Sequence, residues 1–260
     1  MTEPSGAPSL QPAVLAVAVT PGLSPYLPET LRGLALQRTE PDAVLVVDVS
    51  PGEDPAHERA KAIRMAAREA GLDLESVRVV RAPGAQTFGD AVREGIAQLA
   101  DQASGGDRLV TARWLWLLHD DSAPEPAALR ELLRGAQSAP TVALTGPKQC
   151  DWSQPQRLLE LGVSVSRGGR RSLGLEEGEL DQGQYDDRED VYGVGTAGAL
   201  VATAVWEELG GTDPALGPFG DGLDLSRRAR LAGYRVIVAP RAVVRHARAS
   251  YQGIRRAARD

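Results

Sequence analysis

Apolar runs alternate with segments of helical periodicity through the first half of this chain. The runs contain almost no polar residues, which is typical of strands buried on both faces of a sheet. The pattern predicts strands at 13–19, 43–47, 77–80, 114–118 and 142–144, and helices at 28–36, 54–70, 88–100 and 126–136. Regular alternation of strand and helix predicts an α/β fold with a doubly wound, mostly parallel central sheet and helices on both faces.

The pattern changes after Lys148. Residues 149–191 are polar, glycine-rich and charged, and their one apolar segment, 158–165, predicts a single strand. We predict that this stretch is a loop-rich insertion that covers a site, because it is too long for a simple crossover and too irregular for a second domain. Beyond it, the pattern predicts strands at 194–202, 234–238 and 242–244, helices at 205–209 and 225–231, and a loop at 218–224.

Composition narrows the class of protein. The 260 residues suffice for one large domain, and a net charge of −6 argues against nucleic acid as a partner held by a general basic surface. A single cysteine, Cys150, excludes an internal disulfide and a cysteine-based zinc cluster, and it suits a reducing compartment. The sequence shows neither a signal peptide nor a run long enough to span a membrane. We expect a cytoplasmic protein, which parts outside this chain could hold at the inner face of the membrane.

Candidate chemistry concentrates where the fourth predicted strand ends. Five large apolar residues at 114–118 run directly into His119, Asp120 and Asp121, and open α/β sheets bind ligands at the carboxyl ends of their strands. Adjacent carboxylates repel each other unless a cation or a proton lies between them. Residues 122–126, with Pro124 and Pro126, would then open the next helix, because proline is tolerated in the first turn. The alternative is that Asp121 or Ser122 only caps this helix.

Five segments in a fixed order resemble family 2 glycosyltransferases. The segments are 26–37, 46–50, 117–124, 206–213 and 219–234. The third looks like the metal-binding Asp-x-Asp segment of that family, and the last two look like its Trp-Glu-x-Leu-Gly-Gly-Phe-Asp and Glu-Asp-x-Asp-Leu stretches. The resemblance covers roughly 14–246 and implies the GT-A fold. It also implies transfer of a sugar from a nucleotide-sugar with inversion at the anomeric carbon.

The resemblance implies an organisation and a set of partners. We expect a disordered leader at 1–12, one GT-A domain at 13–247 and a basic tail at 248–260. Within the domain, 13–122 would bind the nucleotide-sugar and 123–247 the acceptor. The implied partners are a nucleotide-diphosphate sugar and a glycan or lipid-linked acceptor, as in cell-wall or polysaccharide biosynthesis.

The resemblance also implies a divalent metal, Mn or Mg, as cofactor. Asp121 matches the second Asp of the family triplet and is the first candidate ligand. His246, which falls where many members carry a histidine after the last core strand, is the second. His119 replaces the first Asp of the triplet, so the number of carboxylate ligands stays open. Asp120 would lie near the ribose or the phosphates.

Residues after the first three strands are candidates for binding the nucleotide. Asp48 matches the carboxylate that family members place on the nucleobase, and Ser50 follows it in the same motif. The alternative for this pair is an Asx turn. Thr20 and Pro21 would supply backbone around the base, and Arg81 would lie near the same site.

The general base is where the sequence departs most from the family. Aligned on Asp224, the family's catalytic Asp falls on Gly222, and Asp221 takes the preceding Glu position. Either Asp221 acts as base after a one-residue shift of the loop, which Gly220 and Gly222 permit, or the base is missing. We favour Asp221; Asp224 is a second catalytic candidate, with a helix cap or acceptor binding as its alternatives.

Two other classes of function compete with a metal-dependent inverting transferase. Gly222 and His119 favour a catalytically inactive nucleotide- or glycan-binding domain. A nicotinamide-dependent oxidoreductase is disfavoured, because residues 20–24 after the first strand contain no Gly-x-Gly-x-x-Gly fingerprint.

Overall fold

The computed structural model describes residues 13–54, 57–102, 112–168 and 170–250. The predicted leader, 1–12, and residues 251–260 of the predicted basic tail lie outside these ranges. In the described part, no helix combines the length and the hydrophobicity needed to cross a membrane.

Within the described ranges, nine strands form the central sheet and two more form a separate hairpin. The order across the sheet is β3-β2-β1-β4-β10-β6-β11-β5, and β7 pairs with β6. The strands are β1 Val14–Thr20, β2 Ala43–Asp48, β3 Val77–Arg81, β4 Trp114–His119, β5 Ser122–Pro124, β6 Val142–Asp151, β7 Leu158–Glu160, β10 Leu200–Ala202 and β11 Arg235–His246, with the hairpin β8 Ser164–Val165 and β9 Arg171–Ser172. The predicted mostly parallel sheet is confirmed, because β1 to β4 are mutually parallel neighbours and β6 runs parallel to β11.

Helices cover both faces of this sheet, as the alternating pattern predicts. Successive residues of β1 point to opposite faces, so Leu15 and Val17 enter one apolar core while Ala16 and Ala18 enter the other. Three helices pack on each face. They are α1 Leu27–Ala35, α2 Glu58–Ala70 and α4 Ala128–Ala136 on one, and α3 Phe88–Gln102, α5 Thr203–Glu208 and α6 Gly217–Leu231 on the other.

Two of the sequence predictions of local structure that bear on the site are wrong. Residues 122–124, predicted to open a helix, form β5, which pairs antiparallel with β11 at the edge of the sheet. Pro124 is tolerated there because an edge strand needs no backbone N–H on its open side. The predicted loop at 218–224 lies inside α6, which begins at Gly217. Asp221 is therefore presented by a helix rather than by a loop.

The predicted insertion between β6 and β10 contains three short strands instead of one. Lys148 of β6 forms ion pairs with two residues of the insertion. The Lys148 Nζ atom lies 2.8 Å from the carboxylate of Asp181 and 2.7 Å from that of Asp186. Because Lys148 is buried, these two carboxylates neutralise a charge that would otherwise be costly to desolvate. The ion pairs hold the insertion against β6.

Candidate active site

A cavity of about 140 Å³ opens where β4, β6 and β11 end. Its walls include His119 at the end of β4, Gln149 of β6 and His246 at the end of β11, together with Thr196 and Asp221. Separate elements of the fold thus deliver polar side chains to one point at the carboxyl edge of the sheet. Parallel α/β sheets bind ligands at such an edge.

His119, Asp121 and His246 form a compact group on the wall of this cavity. One ligand atom from each lies within 4.8 Å of the other two, and His246 Nε2 is 3.5 Å from Asp121 Oδ1. The structure therefore brings together the three residues predicted to hold a metal. Two imidazole nitrogens and one carboxylate oxygen fit a divalent ion such as Mn better than Mg, which prefers oxygen ligands alone.

The segment after β11 fixes the carboxylate of Asp121. The backbone N–H of Ala249 donates to Asp121 Oδ2 at 2.8 Å, and the N–H of Ala247 donates to the Asp121 carbonyl at 2.9 Å. With Oδ2 engaged in this way, Oδ1 is the carboxylate oxygen nearest His246 Nε2.

Each histidine of the group also has a polar neighbour outside the group. His246 Nδ1 lies 3.0 Å from Gln149 Oε1, and His119 Nε2 lies 3.0 Å from Thr196 Oγ1. The ring of Phe88 packs 4.5 Å from that of His119, centroid to centroid. These contacts hold both imidazoles in fixed orientations, as is usual for histidines that bind metals.

Asp120 is buried between β4 and β1. Its backbone N–H donates to the Val19 carbonyl at 3.1 Å, and its own carbonyl accepts from Thr30 Oγ1 at 2.7 Å. The hydroxyl of Thr20 lies 3.4 Å from Asp120 Oδ2. Thr20 and Asp120, both predicted near the nucleotide, therefore lie side by side.

The other predicted nucleotide-binding residues form a second cluster at the ends of β2 and β3. Asp48 Oδ1 accepts from the Ser50 backbone N–H at 2.8 Å and from the Ser50 hydroxyl, which is the Asx turn named as the alternative. Arg81 Nε lies 3.3 Å from Asp48 Oδ2, and Arg81 also donates to the carbonyls of Ser50 and Gly52. Pro21 is exposed next to this cluster along β1. The role of these residues toward a nucleobase stays a prediction.

Asp221 faces the same cavity from α6. It is 7% exposed, and burial raises the pKa of its carboxyl from 3.8 to about 7 against the lowering effect of hydrogen bonds from the Gly222 backbone N–H and the Thr196 hydroxyl. Thr196 Oγ1 lies 3.4 Å from Asp221 Oδ2 and 3.0 Å from His119 Nε2. One threonine therefore connects the predicted base with the predicted metal group.

Gly222 lies where helix α6 touches the loop before β10. A Cβ atom at this position would be 2.5 Å from the Val194 carbonyl oxygen and 3.0 Å from the Thr196 backbone nitrogen. Backbone atoms cannot move away as a flexible side chain could. A larger side chain therefore has no room at residue 222, whereas the neighbouring Asp221 faces the cavity.

We expect Gly222→Ala to lower the free energy of unfolding by about 1–3 kcal/mol, because its new methyl group overpacks this contact. Gly220→Ala is the matched control on the same helix, since a Cβ there meets nothing closer than the Leu216 Cβ at 3.4 Å. Alanine favours a helix interior over glycine, so this control is expected to be neutral or stabilising by up to about 1 kcal/mol. Urea unfolding measures both changes, and equal effects would contradict the packing argument.

The raised pKa of Asp221 also predicts a pH dependence of stability. Between pH 4 and 7 the folded protein retains a proton that the unfolded chain has released, so this group lowers stability by about 1.4 kcal/mol per pH unit as the pH rises. Asp221→Asn removes this contribution. We therefore expect the stability of Asp221→Asn relative to the wild type to increase from pH 4 to pH 7. If the unfolding free energies of the two proteins, measured by urea titration, change in parallel with pH, the raised pKa of Asp221 is contradicted.

The structure does not bring Asp224 to the cavity. Its Oδ2 accepts from Arg228 Nε at 2.6 Å, and Arg228 also donates to the carbonyls of Leu209 and Gly211, which end α5. The helix-cap alternative is wrong, because α6 begins at Gly217 and Asp224 lies inside it. Asp224 instead ties α6 to the turn after α5, one helical turn away from Asp221.

Several polar residues of the cavity were not predicted individually, among them Thr196, Glu160 and Gln149. Thr196 lies in a small-residue loop whose glycines suggest a close approach of backbone to a ligand, and Glu160 is an acid inside an otherwise apolar segment. Glu160 accepts from the Gly195 backbone N–H at 2.7 Å and pairs with Arg171 at 2.5 Å. Gln149 gave no signal in the sequence, since only the pairing of β6 with β11 brings it to His246.

One family model matches nearly the whole chain. The family described as "Glycosyltransferase like family 2" matches residues 12–259. No curated protein matches the chain in sequence.

Three solved structures resemble the fold. GalNAc-T7 with UDP, GalNAc and Mn2+ has a TM-score of 0.67 at 14% identity, over 92% of this chain and 44% of that one. The mannosyltransferase PcManGT from Pyrobaculum calidifontis, in complex with GDP-Man and Mn2+, has a TM-score of 0.58 at 16% identity, over 94% and 59%. S. aureus TarS has a TM-score of 0.56 at 13% identity, over 89% and 36%. The predicted GT-A fold is confirmed, and this chain spans roughly a third to three fifths of the length of these proteins.

Proposed function

The chain belongs to glycosyltransferase-like family 2, and on that premise we propose that it is a metal-dependent inverting glycosyltransferase. It moves a sugar from a nucleotide-diphosphate donor to a hydroxyl of a glycan or lipid-linked acceptor. The observation that carries the proposal is the position of Asp221 in the same cavity as His119, Asp121 and His246, with Thr196 between them.

The three clustered residues would hold a divalent cation. A bound cation neutralises the charge that grows on the diphosphate as the glycosidic bond breaks. Mn²⁺ is the expected ion, because two of the three donors are imidazole nitrogens. Support comes from GalNAc-T7 and PcManGT, whose structures contain Mn2+ with UDP and with GDP-Man.

Asp221 would take the proton from the acceptor hydroxyl. A general base works best when its pKa lies near the working pH, and burial places this carboxyl at about 7. The Gly222 backbone N–H and the Thr196 hydroxyl aim its two oxygens and stabilise the ionised form. Because Asp221 is only 7% exposed, bulk water has little access to its carboxyl group.

The remaining predicted residues would bind the donor at its nucleotide end. Thr20 and Asp120 lie together after β1 and β4, and would contact the ribose or the phosphates. The cluster of Asp48, Ser50 and Arg81 would border the base. We expect the acceptor to enter from the opposite side, where the insertion contributes Arg171 to the cavity wall.

A second candidate is a catalytically inactive domain that binds a nucleotide or glycan. The observation in its favour is Gly222 at the position of the family's catalytic aspartate. Such a domain would bind a nucleoside diphosphate with a cation and release no product.

The two candidates separate in a turnover assay with a panel of UDP-, GDP- and dTDP-sugars in the presence of Mn²⁺ or Mg²⁺. We expect release of nucleoside diphosphate from one donor class, faster with Mn²⁺ and abolished by EDTA. Cation-dependent binding of a nucleoside diphosphate, without hydrolysis or transfer of any sugar, would instead support the inactive domain.

A further inference from the structure

Gln149 is buried beside the predicted metal group and contacts His246 directly. It is 2% exposed. Its Nε2 lies 3.1 Å from the Ala197 carbonyl oxygen and 3.5 Å from Glu160 Oε1, and its Oε1 lies 3.0 Å from His246 Nδ1. Both amide atoms therefore have neighbours inside the protein.

These neighbours fix which way the amide faces. The Ala197 carbonyl can only accept a hydrogen bond, so the amide nitrogen of Gln149 must point toward it. The amide oxygen then faces His246, and an amide oxygen can only accept. His246 must accordingly carry its proton on Nδ1.

The protonation of Nδ1 also fixes the state of Nε2, the other ring nitrogen of His246. In a neutral imidazole with Nδ1 protonated, Nε2 holds a lone pair, and here Nε2 lies 3.5 Å from Asp121 Oδ1. A lone pair and a carboxylate oxygen that face each other at this distance suit a shared cation. The opposite tautomer would place a hydrogen on Nε2, and this nitrogen could then not bind a cation.

We propose that Gln149 is a positioning residue, which holds His246 as the Nδ1–H tautomer and so makes Nε2 a ligand for a divalent cation shared with Asp121. The cation rests on the proposed function. The tautomer depends only on the contacts of Gln149 and can be tested without any cation.

Long-range ¹H–¹⁵N NMR of the metal-free protein at pH 8 tests the tautomer, and the chain has only three histidines to assign. We expect wild-type His246 to be protonated on Nδ1, and Gln149→Leu to give a mixture of tautomers or the Nε2–H form. Gln149→Glu retains an oxygen that accepts from Nδ1 and is expected to keep the proton on Nδ1, but it removes the donor to the Ala197 carbonyl and is expected to lower the free energy of unfolding. Gln137→Leu, at an exposed position after α4, is the control substitution. An Nε2–H tautomer in the wild type would overturn the proposal, even if no variant folds.

Titration with Mn²⁺ alone, followed by electron paramagnetic resonance, tests the ligand role. Loss of the partner that orients a metal-binding histidine costs about 10–100-fold in affinity, and we expect this loss in Gln149→Leu and little change in Gln137→Leu. Equal affinities in wild type and Gln149→Leu would overturn the positioning role. If the wild type has the expected tautomer but binds no Mn²⁺, the cation of the proposed function is rejected while Gln149 still orients His246.

Discussion

We expect Asp121→Asn to lose Mn²⁺ binding and to lower the rate of sugar transfer by at least about 10³-fold. Asp121 contributes the carboxylate of the group that it forms with His119 and His246, and an amide in its place removes the negative charge that would attract the cation. A divalent cation supplies several kcal/mol of stabilisation to a departing diphosphate, and each 1.4 kcal/mol is about tenfold in rate. Paramagnetic resonance with Mn²⁺ and initial transfer rates at saturating Mn²⁺ measure the two losses.

The adjacent acid provides a matched control for Asp121→Asn. Asp120 is equally buried, but it lies outside the group of potential ligands and beside Thr20. We expect Asp120→Asn to retain binding of Mn²⁺ alone and to weaken binding of the nucleoside diphosphate. Full transfer activity in Asp121→Asn, with folding verified by circular dichroism, would contradict a role for the cation.

Asp221→Asn is expected to lower kcat by about 10²–10⁴-fold while the affinity for nucleoside diphosphate and Mn²⁺ stays unchanged. The substitution keeps the size of the side chain and removes its ability to accept a proton. Wild-type kcat is expected to rise with pH through a pKa of about 7, since only ionised Asp221 can act as base. Steady-state kinetics across pH 5.5–8.5 and calorimetry of nucleotide binding separate the two quantities.

Asp224→Asn tests whether a carboxylate elsewhere on α6 could serve instead. Asp224 pairs with Arg228 and does not line the cavity, so we expect kcat near that of the wild type. Unchanged turnover in Asp221→Asn would reject Asp221 as base. A large loss of kcat in Asp224→Asn, with unchanged stability, would indicate that Asp224 is the base.

Much of the sheet is predictable because burial on two faces leaves few alternatives. The run at 114–118 has no polar residue, and β4 is central, with neighbours β1 and β10. Asp121 and His246 are predictable as potential ligands because each follows a strand and matches a family position. Their proximity depends on the neighbouring positions of β4, β10, β6 and β11 in the sheet, which local patterns do not encode.

The errors arise where tertiary contacts override local preference. Gly220 and Gly222 favour a loop in the sequence, but α6 continues through them because Gly222 lets the helix meet the loop at Thr196. Pro124 signals a helix start, yet its partner β11 converts the segment into an edge strand. In each case the residue that suggests a local turn or helix start contacts an element distant in sequence, and this contact decides the local structure.

Anomalous scattering from crystals soaked in Mn²⁺ with UDP or GDP tests the central claim most directly. The account predicts a manganese peak within ligand distance of Asp121 Oδ1 and His246 Nε2, with the diphosphate on its open side. A nucleoside diphosphate bound at this cavity with no manganese between it and these two residues would contradict the account.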